Sequence, residues 1–336
     1  MKKLLKVLGV LFGVVVVLII GALVYVNATA VRDFSSTPLP NITASKDPEV
    51  IARGEYVVNA QAHCSICHQK VEFAKQRVLG AELAALEGGY AFEAGPFGTF
   101  YAANLTSDEE TGLGKLSDGQ LARSIRHGVN RHGRLAAFMS FAVGDMADED
   151  LTAVVSYLRT LPPRKNAVKD DEWGIIAKAL SGSFNPRPAP PATLTYVPPG
   201  GISVERGQYL ANGPAFCYGC HTPADPMKGF AAAGPRFSGE ASAEPDPTDA
   251  AFEFVTPNLT PDPETGLITK WSEDDFVKRL KAGGAFPGSK MPWPNFARLT
   301  EDDMRSLYRY LRQLPPTKHD VGPTRRAAGW KPGAAN

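Results

Sequence analysis

The four cysteines of the chain all sit in two pentapeptides, Cys64-Ser65-Ile66-Cys67-His68 and Cys217-Tyr218-Gly219-Cys220-His221. Each reads C-x-x-C-H, the attachment pattern of c-type haem. The spacing has a chemical reason. Thiols three positions apart lie around one helical turn, so both can reach the vinyl groups of a single porphyrin and become thioethers. The next residue is then carried beneath the iron as its proximal ligand. On this reading Cys64, Cys67, Cys217 and Cys220 attach two covalent haem c groups, and His68 and His221 are axial ligands. Three blander readings compete. A redox dithiol does not require the histidine. A four-cysteine zinc site leaves both histidines unexplained. A C-x-x-C disulfide closes a tiny, strained loop. With 6 His among 336 residues, one directly after each pair is a poor coincidence.

The elements that must position these residues occur twice. Cys217 lies 153 residues after Cys64, and the same offset relates Arg53-Gly54-Glu55-Tyr56 to Arg206-Gly207-Gln208-Tyr209. It also relates Leu161-Pro162-Pro163 to Leu314-Pro315-Pro316. Asn104-Leu105-Thr106 and Thr111-Gly112-Leu113 recur at Asn258-Leu259-Thr260 and Thr265-Gly266-Leu267. The chain therefore holds two copies of one domain, each of ordinary domain size. The pattern predicts an all-α fold without convincing strands. Residues from Pro48 to Ala62 read as a helix entering the first motif. Ser117-x-x-Gln120 forms a capping box, and Ser272 caps the equivalent helix. Leu151, Val154, Val155 and Leu158 form an apolar stripe, matched by Met304, Leu307, Tyr308 and Leu311.

Before the repeats, Lys2, Lys3 and Lys6 precede an uncharged apolar run from Val7 to Val26. Twenty helical residues span about 30 Å, the thickness of a bilayer's hydrocarbon core. The lysines place the N-terminus in the cytoplasm and the repeats on the periplasmic side of the inner membrane. Ala28-Thr29-Ala30 has the form of a signal-peptide cleavage site, but the run exceeds a usual signal core, which favours a retained anchor. The expected layout is a cytoplasmic terminus at 1–6, a span at 7–26, a linker at 27–46, the first domain with a trailing segment at 47–185, a Pro-rich linker at 186–199, the second domain at 200–318 and a flexible tail at 319–336. The linker prolines, Pro190 and Pro191 among them, suit an extended spacer or strap. Lys and Arg total 36 against 35 acidic residues, a net charge of +1, so no basic field points to nucleic acid. Asn41, Asn104 and Asn258 begin Asn-x-Thr triplets, the last two reading as structural parts of the repeat. The Asp108-Glu109-Glu110 and Asp262-Pro263-Glu264 loops lack an EF-hand pattern and read as solvated turns.

These residues together make the chain resemble the membrane-anchored dihaem c-type cytochrome family, over roughly 47–163 and 200–316. It is similar to the cytochrome subunits that serve periplasmic alcohol and gluconate dehydrogenases, which usually carry three haems. The resemblance implies a small helical domain per haem, in which the first helix crosses the last where a glycine meets an aromatic: Gly54 with Tyr157, Gly207 with Tyr310. It also implies a Met as the sixth iron ligand. Met291 lies 74 residues after Cys217, and Met139 lies 75 after Cys64. Ligation is the favoured reading of Met139 over ordinary packing beside Phe138 and Phe141, with Met146, His127 and His132 near. Met304 belongs to an apolar stripe, and Met227 is too close to its motif. Trp271 is suited to a haem propionate or to simple packing. His63 and His319 read as surface residues. The function implied is single-electron transfer between a donor such as a dehydrogenase and an acceptor such as an oxidase. The enzyme rival is a dihaem peroxidase, which needs an open iron and acid–base groups such as His127 or His132.

Overall fold

The computed structural model describes residues 2–30, 32–70, 85–181, 185–189, 192–225, 231–284, 286 and 288–331. Met227, Pro190 and Pro191 lie outside them. Helix α1, Lys2–Thr29, is a long rod whose apolar side chains from Leu4 to Tyr25 are mostly exposed. Among the described residues none buries its apolar length, and its C-terminal end meets the connecting segment where Lys178 Nζ donates to Asn27 Oδ1.

The repeat is visible as two helix pairs. In the first copy, α2 (Pro48–Tyr56) packs on α5 (Asp148–Thr160). In the second, α7 (Val204–Asn212) packs on α11 (Glu301–Leu311). Each first helix starts on a side-chain cap: Asp47 accepts from the Glu49 N–H, and Ser203 from the Arg206 N–H, relieving donors that no helical carbonyl reaches. The crossings depend on glycine. A Cβ on Gly54 would strike the Ala153 carbonyl and stand 2.8 Å from Tyr157 Cβ. A Cβ on Gly207 would strike the Ser306 carbonyl and stand 2.8 Å from Tyr310 Cβ. Any larger residue would force each pair apart.

Between the paired helices lie α3 (Asp118–Arg126) in the first copy and α9 (Glu273–Ala282) in the second. Both begin with complete capping boxes, Ser117 with Gln120 and Ser272 with Asp275. The repeated Asn-Leu-Thr blocks are latches. Asn104 Nδ2 donates to Thr111 Oγ1 and to the Arg164 carbonyl, and Asn258 Nδ2 donates to Thr265 Oγ1 and the Thr317 carbonyl. Both asparagines are buried, which closes them to glycosylation. Asp108 and Asp262 likewise spend a carboxylate oxygen on the backbone and hydroxyl of Thr111 and Thr265, holding each carboxyl below its usual range.

The structure is more mixed than the all-α expectation, being 42% helix and 10% strand. Strands β1 (Ala91–Glu93), β2 (Gly98–Tyr101) and β3 (Glu172–Trp173) form an antiparallel sheet. Strands β4 (Ala224–Asp225) and β5 (Ala231–Ala232) pair with each other. Strands β6 (Glu240–Pro245), β7 (Phe252–Thr256) and β8 (Arg325–Ala327) make a third sheet. β8 falls in the stretch expected as a loose tail. Its Arg325 pairs with Asp246 and lies over the Phe252 ring, while Arg326 pairs with Glu253. The segment between the copies also folds back: β3 joins the first sheet, and Arg187 donates to the Ser140 carbonyl and pairs with Asp145.

Candidate haem sites

Each motif begins where a helix ends in a backbone turn that side chains seldom adopt. After α2 the chain passes through one π turn, Val57–Gln61, and His63 takes φ 41° before the 3₁₀ turn Cys64–Ile66. After α7, Phe216 takes φ 51° before α8, Cys217–Cys220. Neither residue is glycine, so both turns carry local strain, which well-packed surroundings must hold in place. The result is a fresh helical turn at each C-x-x-C, presenting its two thiols three residues apart.

The two histidines are placed alike. His68 is 6% exposed and its Nδ1 sits 2.7 Å from the Ala103 carbonyl oxygen. His221 is 6% exposed and its Nδ1 sits 2.9 Å from the Pro257 carbonyl oxygen. A carbonyl only accepts, so Nδ1 carries the proton and Nε2 is the nitrogen left to bind a metal. Burial lowers the pKa of both rings, that of His221 to about 4, which keeps each imidazole neutral and fit to ligate at physiological pH. Burial also pushes the Cys64 and Cys217 thiols up to about 12.

The four cysteines form no disulfide. Among the described residues no three His, Cys, Asp or Glu side chains converge as a metal cluster, so the zinc reading finds no geometry to support it. Met139, in α4 (Ala137–Val143), is half-buried against the same core cluster as Cys64. Met291, just before α10 (Trp293–Phe296), is half-buried against the same cluster as Cys217. Met146 and Met304 are buried wholly within those clusters, which is the packing role expected of Met304. A neutral, oriented imidazole and a half-buried thioether on the core of each motif are a donor set that fits haem iron.

The remaining expectations sort cleanly. The His127 ring is committed to the Arg187 carbonyl at 2.7 Å, and His132 is exposed. His63 and His319 are half-buried instead of lying on the surface: the His63 ring meets Phe296 edge-on, and His319 Nδ1 contacts the Ser238 carbonyl. Trp271 packs beside Phe276, and its carbonyl accepts from Tyr308.

The sequence reading missed a polar clamp between the copies. Asp303 accepts from Arg206 of its own copy and from Tyr56 and Gln61 of the other, the last two at 2.8 Å. Asp150 accepts from Arg53 of its own copy and, at 2.7 Å, from Tyr209 of the other. Tyr56 Oη also accepts from the Thr300 N–H, and Tyr209 Oη from the Ala147 N–H. The contacts are reciprocal, as at a two-fold interface. Burial and the facing carboxylate raise the Tyr56 hydroxyl to about 12 and the Tyr209 hydroxyl well above its ordinary value. A signal existed: Arg53, Tyr56 and Asp150 recur as Arg206, Tyr209 and Asp303 at the same 153-residue offset.

No family model matches the chain. Curated relatives do. The chain is 30% identical to the alcohol dehydrogenase (quinone) cytochrome c subunit of Gluconacetobacter polyoxogenes, over 88% of this chain and 61% of that protein. It is 28% identical to the gluconate 2-dehydrogenase cytochrome c subunit of Pantoea cypripedii, over 79% of this chain and 59% of that one. It is 25% identical to a diheme cytochrome c-type protein of Cereibacter sphaeroides, over 80% of this chain and 90% of that one. The chain thus spans about three fifths of the length of the dehydrogenase subunits it matches. The dehydrogenase relatives are named as cytochrome c subunits, and the chain is similar to them over most of its own length. The chain is thus similar to the c-type cytochromes, one of them named as a diheme protein.

Proposed function

We propose that the chain carries two haem c groups and passes single electrons from a dehydrogenase to an oxidase or another acceptor. Cys64 and Cys67 attach one group, and Cys217 and Cys220 the other. His68 with Met139, and His221 with Met291, complete the axial ligation. The observation that carries this reading is the shared placement of the two motif histidines, each buried with Nδ1 spent on a backbone carbonyl. Bound haem iron supplies one-electron redox chemistry. The imidazoles contribute a fixed Nε2, and the soft thioether sulfurs favour the ferrous state and so raise the potential. Burial of the two motif histidines would limit reorganisation as charge changes. The domains fall at 47–185 and 200–318. Helix α1 anchors them on the periplasmic face of the inner membrane, beside membrane partners.

Intact mass should show two haem additions per chain, retained after acid denaturation. The ferric protein should be low-spin with the weak red-end absorption of Met–iron bonds. Met139→Ala and Met291→Ala should each remove part of that band and lower one potential, whereas Met146→Ala should do neither. A single haem, or haem extractable by solvent, would sink the reading. Retention in membranes after a high-salt wash tests the anchor.

A further inference from the structure

The contacts between the copies run from each attachment motif to the other copy's Met-bearing segment. Inside the second motif, Tyr218 Oη donates to the Phe141 carbonyl at 3.2 Å, two residues after Met139. The Phe216 ring meets Phe141 edge-on, with centroids 5.1 Å apart. Inside the first motif, Ser65 Oγ accepts from Asn295 Nδ2 at 3.1 Å, four residues after Met291. The same amide donates to the Asn59 carbonyl at 2.7 Å. The His63 ring meets Phe296 with centroids 5.4 Å apart. Ser65 and Asn295 are sealed at 1% and 0% exposure, so neither hydrogen bond can be exchanged for one to water at little cost.

These contacts bear on the ligands because they tie each Met-bearing segment, otherwise held by its own copy, to the other copy. α4 is a seven-residue helix, and the last carbonyls of a helix have no partner within it. Tyr218 donates to Phe141 O, and Arg187 to Ser140 O beside the helical bond from Gly144 N–H, which pins α4 within two residues of Met139. Met291 lies outside any helix, directly before Pro292 and the short α10 that contains Asn295. Asn295 Oδ1 is buried without a partner, so its two donated bonds alone orient that amide.

We propose that each copy's attachment motif positions the other copy's Met ligand: Tyr218 positions Met139, and Ser65, through Asn295, positions Met291. This rests on the haem and Met ligation proposed above. It makes a residue of one motif a determinant of the sixth ligand at the other iron.

The test uses the full-length protein with both haems confirmed by mass. In a Met291→Ala background, the remaining red-end band reports Met139 alone. Adding Tyr218→Phe should weaken that band and lower the potential of the first haem, although Tyr218 belongs to the second motif. In a Met139→Ala background, Ser65→Ala and Asn295→Ala should weaken the Met291 band, the latter more because it removes both donated bonds. Unchanged bands and potentials, or changes confined to the haem of the substituted motif, would overturn the proposal. A wild-type protein with two haems and no red-end band would instead overturn Met ligation, and the brace with it. Should Tyr218→Phe fail to load both haems, the Asn295→Ala arm decides.

Discussion

The two copies differ least where the histidines are held and most on the opposite side. His68 and His221 have the same partner type and the same burial. Gly54 and Gly207 permit the same close crossing, and Asn104 and Asn258 tie the same latch to the chain after the last helix. Away from that frame the copies diverge. Met139 sits within a helix, whereas Met291 sits in an irregular stretch before a proline. The first copy is strapped by the connecting segment through Arg187, and the second by its own tail through β8. What duplicates is the geometry that holds the motif histidines. What varies is the setting of the two methionines and the straps, so on the proposed reading differences between the two haems should originate there.

The sharpest break between the copies is chemical. Replacing Cys217 and Cys220 with Ala should remove one covalent haem completely and leave the other, read as the loss of one addition in the intact mass. Replacing Cys64 and Cys67 should give the mirror result. Loss of both haems from either variant would show that the copies do not load independently.

Next in size is the clamp. Asp303 and Asp150 hold equivalent places, but the Arg206 side chain is 9% exposed and that of Arg53 27%. Removing one partner of a buried ion pair costs about 3–5 kcal/mol because the other charge is left stranded. Asp303→Ala should fall in that range by denaturant unfolding. Asp150→Ala should cost less, since water reaches Arg53. Equal losses would contradict the difference in burial. Below these come Gly54→Ala and Gly207→Ala. Overpacking against a backbone carbonyl costs about 1–3 kcal/mol, and the matched contacts predict equal costs. Unequal midpoint shifts would show that the crossings are not equivalent.

The helices, the repeat and the cofactor motifs were legible because each rests on local chemistry. Ser117 and Ser272 announce helix starts through side chains that reach two or three residues. The C-x-x-C-H spacing needs one helical turn. The third sheet was not legible, because β7 pairs with β8 about seventy residues later in a stretch rich in glycine and alanine. Phe252-Glu253-Phe254-Val255-Thr256 does carry the alternation and bulk of a strand, but no neighbouring segment announces its partner. The clamp was half legible. Its residues repeat at the motif offset, yet sequence alone does not say that Tyr56 reaches the other copy's carboxylate instead of its own. That exchange is set by how the copies pack, which is a tertiary fact.

The last comparison is between the two tyrosines of the clamp, whose alkaline titration is a finer effect than any of these losses. Each donates a proton to a buried carboxylate, so ionising it would set two negative charges together in a poorly hydrated place. The folded-state pKa of Tyr56 is raised to about 12, above an unfolded value of about 10. The unfolded chain therefore releases this proton first as pH rises. The stabilisation is fully present below about pH 10 and is lost as pH climbs toward the folded-state value. Tyr209 shifts in the same direction and is buried more deeply, at 2% exposure. The denaturation midpoint should stay level from neutral pH to about 9 and decline beyond about 10. Tyr56→Phe and Tyr209→Phe should each lower stability at neutral pH by about 1.5–3 kcal/mol, the loss of a hydrogen bond to a charged group. Each should also flatten the alkaline decline, because the titrating hydroxyl is gone. Tyr209→Phe should flatten it more, as the deeper of the two. A double variant that declines as steeply as the parent would remove the tyrosines as its cause, and equal flattening by the two single variants would show that the clamp is more symmetric than its burial.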